Sequence, residues 1–296
     1  MKLGYFPGCS LESSAREYKE SLQAIAPLLD LELCEVADWN CCGATAAHSV
    51  NRKLALALPA RTLALAERAG FDELLVPCSA CFSRLAATRR DLLADESLRQ
   101  EITSIIELDY VGSTKVVSVV DVLSRALPTV RAKTIAPFAH KVACYYGCYL
   151  TRPASLTTCV RPEDPQEMEA IAAAAGATPV DWAFKVECCG AALSVSRTAT
   201  VAELAGRIVA DAAERGAEAL VVACPLCHTN LDLRRPAIER HRGASYALPV
   251  LYITQLVGLA LGLAGRTLGL HRHHVPVRLA ACAAAPAAPA AAPKEN

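Results

Sequence analysis

The sequence predicts an α/β protein with two pseudo-symmetric domains, each a parallel sheet flanked by helices with a cysteine site at the carboxyl ends of its strands. Strand-like and helical stretches alternate along the chain, which is typical of parallel sheets. A helix–cap–strand–cysteine unit occurs twice, at 67–78 and 214–224. At 296 residues the chain is long enough for two domains that each bury a core.

The first half is predicted to contain three strands with helices between them. The strands are expected at 2–6, 31–36 and 72–77, and the helical stretches at 12–29 and between Gly43 and Gly70, with a break near Pro59. Gly70 suits a left-handed helix cap. The third strand leads directly into Cys78.

The second half follows the same plan. Its strands are expected at 141–146, 178–182 and 218–223, and its helices from a capping box at Asp164 to Gly176 and from Thr200 to Gly216. The apolar segment 248–263 is interrupted by Gln255 and is shorter than the ~20 residues of a membrane-spanning helix. It is therefore predicted to be a buried core helix.

A loop-like link with Pro128 and Pro137 is expected at 127–140, between the two halves. The predicted domains are residues 1–138 and 139–270. Residues 271–296 become an Ala/Pro-rich tail that is expected to be disordered, because it cannot bury enough surface to stay ordered.

Composition excludes several classes of protein. Lys+Arg and Asp+Glu both total 30, so no basic field is present to bind nucleic acid. The first residues enter a strand-like stretch and do not resemble a secretory signal, which predicts a cytoplasmic protein. The 14 cysteines are then expected to be metal or redox ligands. Attachment to a membrane through partners stays open.

Ten of these cysteines form a motif that occurs once in each half. A single cysteine is followed by a Cys-Cys-Gly sequence after 32 residues in the first half and 40 in the second, and a Cys-x-x-Cys pair follows after 36 and 35. The two sets are Cys9, Cys41, Cys42, Cys78 and Cys81, and Cys148, Cys188, Cys189, Cys224 and Cys227. The sequence therefore predicts two copies of one metal-binding unit.

Adjacent cysteines on a strand point to opposite faces, so both reach one site only if the backbone turns sharply. Gly43 and Gly190 permit that turn. Each Cys-x-x-Cys is expected to open a helix, where unpaired amides favour thiolate. Zinc or a cubane cluster takes four thiolates, whereas each half offers five. Either one cysteine per half is free, or the cluster is not cubane.

The cysteines also allow other interpretations. Zinc could hold each unit as a structural staple with a spare thiol, and a dithiol relay could work without metal. Cys224-Pro225-Leu226-Cys227-His228 matches haem attachment, but no export signal precedes it and the sister pair lacks the histidine. His228 is a candidate proton donor, with a surface or helix-capping histidine as the alternative.

Four cysteines lie outside the repeat. Cys34 is expected to be a small core residue, and Cys159 and Cys282 are expected to take no part in the site. Cys144 could compete with Cys148, but only Cys148 follows a glycine as Cys9 does. The histidines at 271, 273 and 274 are assigned no role.

Together these motifs resemble the B subunit of heterodisulfide reductase, of the Cys-Cys-Gly domain family of iron–sulfur proteins. The resemblance runs from residue 3 to about 265. It is carried by the ten cysteines in register and by the segments 5–11, 38–45, 146–148 with Arg152-Pro153, and 224–228.

The resemblance implies that each half carries a noncubane [4Fe-4S] cluster, with the first set of five cysteines holding one and the second set the other. A disulfide would dock between the clusters and be cleaved with each sulfur captured by iron, and the second set is expected to act catalytically through its cluster. It also implies a C-type iron–sulfur partner and an A-type flavoprotein partner carrying FAD. The absence of a Gly-x-Gly-x-x-Gly motif here agrees with a flavin on the partner.

The resemblance leaves the substrate open. It could be the mixed disulfide of coenzymes M and B, or sulfur carried as persulfide or on a lipoyl carrier protein in a bacterial complex that runs oxidatively. An alternative is the electron-relay subunit of a lactate, glycolate, glycerol-3-phosphate or succinate dehydrogenase complex. A zinc-stapled scaffold that does no chemistry is the third hypothesis.

Overall fold

The computed structural model describes residues 1–44 and 47–279. Its eight strands form two four-stranded sheets in which every neighbouring pair is parallel. The strands are β1 Lys2–Tyr5, β2 Glu32–Glu35, β3 Glu73–Leu75, β4 Lys115–Val117, β5 Lys141–Tyr145, β6 Thr178–Pro179, β7 Ala219–Val222 and β8 Val250–Tyr252. The strand orders, β2-β1-β3-β4 and β6-β5-β7-β8, are the same in the two halves.

The α-helices cover the faces and edges of the sheets. They are α1 Gly8–Glu12, α2 Arg16–Ile25, α3 Ala47–Val50, α4 Arg52–Arg68, α5 Ser79–Ala94, α6 Glu96–Ile106, α7 Val119–Arg125, α8 Leu127–Lys133, α9 Glu167–Ala174, α10 Thr198–Glu214, α11 Pro225–His228, α12 Arg235–Arg242 and α13 Ile253–Ala260. The predicted fold class of two pseudo-symmetric α/β units is therefore confirmed.

Burial explains the strands that the sequence shows most clearly. All four residues of β7 are buried, as are four of the five residues of β5. Strands buried on both faces have continuous apolar sequences, which makes both of them evident in the sequence. The short strands β4 and β8 were not predicted as strands. Each completes the edge of its sheet beside β3 or β7.

One of two hydrophobic clusters is shared by the two halves, and the other lies within the first half. Residues of α2 and of α7 lie in the same buried cluster as residues of β5, β7, α9 and α13. The helix that follows the fourth strand of each half packs against a helix of the other half, α13 against α2 and α7 against α9. The two contacts are thus reciprocal, and each half completes the other.

Tyr18 on α2 is the polar link at this interface. Its ring stacks on Tyr252 at 4.1 Å between centroids, and its hydroxyl lies 3.5 Å from the Pro77 carbonyl oxygen and 3.3 Å from that of Ala223. Pro77 and Ala223 each precede the first cysteine of a Cys-x-x-Cys pair. One buried side chain therefore ties the two equivalent strand ends to each other.

Several predicted element boundaries were wrong. The expected loop at 127–140 begins with the helix α8, in which Pro128 lies in the first turn, where proline needs no helical partner. Helix α4 continues through Pro59, which is buried in a helix whose inner face packs on the core. The caps expected at Asp164 and Thr200 are absent, because α9 begins after Gln166 and α10 after Arg197.

The predicted tail also begins too early. Residues 271–279 pack against the second half: His273 is buried and hydrogen-bonds the Gln255 side chain at 2.8 Å. The amides of His274 and Val275 donate to the buried Asp232 carboxylate. These bonds explain why this segment is ordered despite its polar sequence. The division between domains at residue 138 stays a prediction, and residues 280–296 lie outside the described part.

Within the described residues, no helix is both long enough and apolar enough to span a bilayer. The segment expected to be one core helix is instead the strand β8 followed by α13, and both elements are fully buried.

We expect Leu22→Ala, on α2, to destabilise both halves together. Leu22 is 1% exposed within the shared core, so its truncation should cost about 2 to 5 kcal/mol. Hydrogen exchange of β3 and β7 during a denaturant titration should show the same shift in both strands. Val160→Ala, at an 86% exposed site, is the control and should change little. A shift confined to β3 would contradict the shared core.

Candidate metal centres

All three cysteine elements of each half lie beyond the carboxyl ends of strands, where sites in parallel sheets form. In the first half, Cys9 lies on α1 just after β1, and Cys41 and Cys42 follow β2. Cys78 follows β3 and is the N-cap of α5, which carries Cys81. Five thiols therefore lie at one edge of the sheet, because the strands that precede them all end there.

The second half repeats this placement. Cys148 follows β5, and Cys188 and Cys189 lie in the loop after β6. Cys224 follows β7 and is the N-cap of α11, which carries Cys227. As predicted, each Cys-x-x-Cys begins at a strand end and opens a helix, although α11 has only four residues and continues as a π-helical turn.

Most of the ten sulfurs lie beside one another in a row. The sulfur–sulfur distances are 4.0 Å for Cys41–Cys9, 3.1 Å for Cys42–Cys81 and 3.7 Å for Cys189–Cys227. Further pairs lie close enough for each thiol to shift the pKa of the other, namely Cys41–Cys42, Cys78–Cys81, Cys78–Cys224, Cys224–Cys227 and Cys148–Cys188. The two sets therefore meet at Cys78 and Cys224, which are equivalent residues of the repeat.

The backbone turns after each double cysteine as expected. Gly43 has φ of +70° and Gly190 has φ of +78°, in the left-handed region that favours glycine. The turn also points the amide of each glycine back at the first cysteine of its pair. The distances are 3.5 Å from Gly43 N to Cys41 Sγ and 3.3 Å from Gly190 N to Cys188 Sγ.

A second pair of glycines lets the backbone approach the sulfurs closely. Gly8 and Gly147, which precede Cys9 and Cys148, also have positive φ. A Cβ at Gly8 would lie 3.3 Å from Cys81 Sγ, and one at Gly147 would lie 3.1 Å from Cys227 Sγ. The glycine that marks both lone cysteines is therefore required by space as well as by conformation.

Each set has a buried end and an accessible end. The cysteines nearest the centre of the row are buried, namely Cys42, Cys78, Cys81, Cys189, Cys224 and Cys227. Cys9, Cys41 and Cys188 are exposed, and Cys148 is half-buried. Solvent or a ligand can thus reach the outer end of each set but not the centre of the row.

Contacts between neighbouring thiols divide each set into thiols of lowered and of raised pKa. Contacts with Cys41 and Cys81 lower the pKa of Cys42 to about 3, whereas the pKa values of Cys41 and Cys81 are raised. A bond donated by Cys148 lowers the pKa of Cys188 to about 6. Bonds from Cys227 and Cys78 hold the pKa of Cys224 well below its usual range. Thiolate is the form that binds metal.

A cation anchors the loop that carries each double cysteine. In the first half, Arg61 on α4 binds the carbonyl oxygen and carboxylate of Asp38. In the second half, the buried Lys185 ammonium lies 3.0 Å from Asp164 and 3.2 Å from Glu169. The carbonyl oxygen of Lys185 also accepts the Gly147 amide at 3.2 Å. This bond holds two ligand-bearing loops together.

His228 is buried between aromatic rings. It stacks on Tyr252 at 4.4 Å, and its Nε2 lies 3.1 Å from the Val250 carbonyl oxygen. Burial lowers the pKa of His228 to about 4, so the ring is neutral and Nε2 donates to that carbonyl. This geometry argues against the role of proton donor, which stays a prediction.

The remaining cysteines are placed away from the row. Cys144 lies on β5 and is fully buried in the shared core, where burial raises its pKa well above the usual range. Cys34 was expected in the core but is half-buried on the edge strand β2, with its thiol 3.5 Å from Glu32. Cys159 is half-buried in a loop, and Cys282 lies outside the described residues.

Two polar residues that contact the second set were not predicted from the sequence. Asn230 places its Nδ2 3.6 Å from Cys189 Sγ, and the Ser79 hydroxyl hydrogen-bonds Cys224. Asn230 follows Cys227 by three residues, as Cys227 follows Cys224, so helical spacing could have identified it. Ser79 could not have been identified in this way, because it belongs to the other half.

The residues present fit a multi-iron group with thiolate ligands. Ten thiols converge in two sets of five, backbone amides point at sulfur, and the glycines leave room beside it. In the described part of the chain, no three His, Cys, Asp or Glu side chains form the compact group expected around a single metal ion. The sulfurs of each set are therefore spaced too widely to surround one metal ion.

The chain matches the family model described as cysteine-rich domain (CCG) over residues 3–86 and again over 142–232. It is 33% identical over 276 residues to the 8-methylmenaquinol:fumarate reductase membrane anchor subunit of Wolinella succinogenes, covering 92% of this chain and 96% of that protein. It is 29% identical over 282 residues to the B subunit of the ferredoxin/F(420)H(2)-dependent CoB-CoM heterodisulfide reductase of Methanosarcina acetivorans, covering 93% and 94%.

A solved structure has the same fold. The crystal structure of a hypothetical protein from Helicobacter pylori superposes with a TM-score of 0.72 at 12% identity. The match covers 93% of this chain and 52% of the other, so this chain spans about half of that protein. At this identity the likeness describes the fold alone.

We expect Gly147→Ala to lower the metal content of the second site. The added Cβ would lie 3.1 Å from Cys227 Sγ at a φ of +66°, so the Cys148 loop must move away from the row. Gly216→Ala is the matched control, because its φ is +75° but no atom lies within 4 Å of the added Cβ. Metal analysis of both purified variants tests this. Equal loss in the two variants would show that backbone strain alone is responsible.

Proposed function

Since the chain belongs to the cysteine-rich (CCG) domain family and is similar to the B subunit of a heterodisulfide reductase, we propose that it is the catalytic iron–sulfur subunit of a heterodisulfide reductase-like complex. In this proposal each set of five cysteines holds a noncubane [4Fe-4S] cluster. The complex would reduce or form a disulfide, either of the CoM-S-S-CoB type or by oxidising sulfur carried as persulfide or on a lipoyl carrier protein.

The observation that supports this best is the placement of two equivalent sets of five thiols side by side. Both sets are complete, and they meet at the buried pair Cys78 and Cys224. A protein with one structural and one vestigial site would not need both double cysteines and both following glycines. Two complete sets whose inner ends adjoin are what a protein with two working sites requires.

When bound, such clusters would supply electrons one at a time to a sulfur substrate. The chain's own residues prepare the site for them. The amides of Gly43 and Gly190 point at Cys41 and Cys188 and would stabilise the negative charge of these sulfurs as ligands of a bound cluster. Burial at Cys78 and Cys224 excludes water from the junction between the sites.

Access for a substrate lies at the outer ends and not at the buried junction between the sets, where the resemblance implies that a disulfide docks. Cys9, Cys41 and Cys188 are exposed, so a thiol or disulfide can approach both sets without unfolding any element. Tyr149 follows Cys148 and is 38% exposed, and it forms part of this accessible surface in the second half. Arg84 of the first half lies near enough to lower the pKa of the Tyr149 hydroxyl, although burial raises it overall. The substrate surface thus draws on both halves.

We propose partners on the same basis. A C-type iron–sulfur subunit would bring electrons, and an A-type flavoprotein would carry the FAD. The relative from Methanosarcina acetivorans is itself named as a subunit of a ferredoxin-dependent reductase.

A second function is favoured by a separate observation. The chain is 33% identical over 92% of its length to a subunit of a fumarate reductase. In that case it would be the electron-relay subunit of a complex that links quinol to a dicarboxylate. The adjoining sets would then serve as neighbouring electron carriers and would not cleave a disulfide.

We expect the purified chain to contain about eight irons, as two such clusters require. Cys189→Ser should lose about half of the iron and abolish turnover, because Cys189 is one of the five thiols of the second set. Cys159→Ser is the control, since Cys159 lies outside both sets, and this variant should keep the full iron content. Anaerobic iron and zinc analysis measures both. Full iron and activity in Cys189→Ser would falsify the two-cluster proposal.

The two functions differ in their response to sulfur compounds. If the chain acts on disulfides, adding a thiol should produce a new paramagnetic signal, and the reduced complex should consume a disulfide. The electron-relay function predicts neither response, but it predicts electron transfer between a quinol and fumarate. Two zinc ions without any paramagnetic signal would instead identify a scaffold.

A further inference from the structure

Asn230 is a fully buried amide in the π-helical turn Thr229–Leu233. Its Nδ2 lies 3.6 Å from the Cys189 sulfur and 3.0 Å from the Cys189 carbonyl oxygen. Its Oδ1 lies 2.9 Å from the Ser194 hydroxyl, which can donate to it. These contacts orient the amide with its NH₂ group toward Cys189.

A second buried polar group reaches the second site from across the interface. The Ser79 hydroxyl, at the first position of α5 in the first half, lies close enough to Cys224 to lower the pKa of that thiol. Ser79 is 3% exposed, so this bond is shielded from water. Cys189 therefore accepts a bond from a buried neutral donor, and a second such donor lies beside Cys224.

The repeat places different residues at the equivalent positions. The counterpart of Asn230 is Arg84, which is half-buried and lines a cavity of about 240 Å³ together with Arg52 and Asp91. The counterpart of Ser79 is Pro225, which has no donor. Among residues 1–44 and 47–279, the hydrogen bonds found at first-site sulfurs come from cysteines and from backbone amides.

Hydrogen bonds to ligand sulfurs are one of the means by which a protein sets the potential of an iron–sulfur group. A donor withdraws charge from the thiolate and stabilises the state that carries one more electron. Two additional buried donors therefore favour reduction of the second site relative to the first. The π-helical turn supports this interpretation, because such turns often occur at functional sites.

We propose that Asn230, assisted by Ser79, raises the reduction potential of the second site above that of the first and makes it the electron-accepting end of the pair. This inference rests on the proposed function, since it requires a cluster at each site. Asn230 is in this view a positioning residue that acts through Cys189. The two sites are then successive electron carriers with different reduction potentials, and they are not functionally equivalent.

The test is a redox titration of the iron-loaded chain, followed by electron paramagnetic resonance. Cys189→Ser assigns the signals, because it removes the second one. Asn230→Leu and Ser79→Ala should each move the second signal to more negative potential and leave the first unchanged. We expect the ratio of reduced to oxidised second site at a fixed potential to fall by about threefold to tenfold, or about 30 to 60 mV for a one-electron couple.

Thr229→Ala is the matched control. Thr229 lies in the same turn, but its hydroxyl bonds the Pro225 carbonyl oxygen at 3.0 Å and not a sulfur. In Thr229→Ala, the reduction potential of the second signal should match that of the wild type. If Asn230→Leu does not load iron, Ser79→Ala decides, because it removes a single oxygen. Unshifted second signals in iron-loaded variants would overturn this inference alone, whereas a wild-type chain without iron would overturn the proposed function as well.

Discussion

The structure depends on one steric requirement, which is that two adjacent cysteines must present their sulfurs to the same site. In extended backbone their side chains would diverge, so the chain turns through a left-handed residue directly after each pair. Gly43 and Gly190 provide this turn, and the same turn aims an amide at the first sulfur of the pair. Ligand placement and charge stabilisation thus come from one backbone conformation.

The parallel sheets make this local turn useful. Because β1, β2 and β3 end at the same edge, segments far apart in sequence bring their cysteines together there, and β5, β6 and β7 do the same in the second half. The shared core then fixes one edge against the other. Tyr18 bonds the residues before Cys78 and before Cys224, so the junction of the two sets is held from outside both of them.

The features that depend on the spacing of residues along the chain could be predicted from the sequence. The ten cysteines, the glycines beside them and the strands that precede them follow from local pattern and repetition, and the family resemblance was confirmed. Features that depend on contacts between the halves could not be predicted from the sequence. Neither the meeting of Cys78 with Cys224 nor the bond from Ser79 leaves a trace in local sequence. The helix break expected at Pro59 and the loop expected at Pro128 were wrong. Pro59 is buried within α4 by tertiary packing, and Pro128 lies in the first turn of α8, where proline is tolerated.

The reciprocal packing of α13 on α2 and of α7 on α9 has a consequence for the history of the chain. Contacts related by a two-fold axis are those of a symmetric homodimer. One copy of the unit would leave its first long helix uncovered unless a second copy supplied the missing partner. The single polypeptide therefore holds its two units as a symmetric homodimer would hold two copies of one unit. Unlike such a dimer, it can carry different residues at equivalent positions, as Arg84 and Asn230 show.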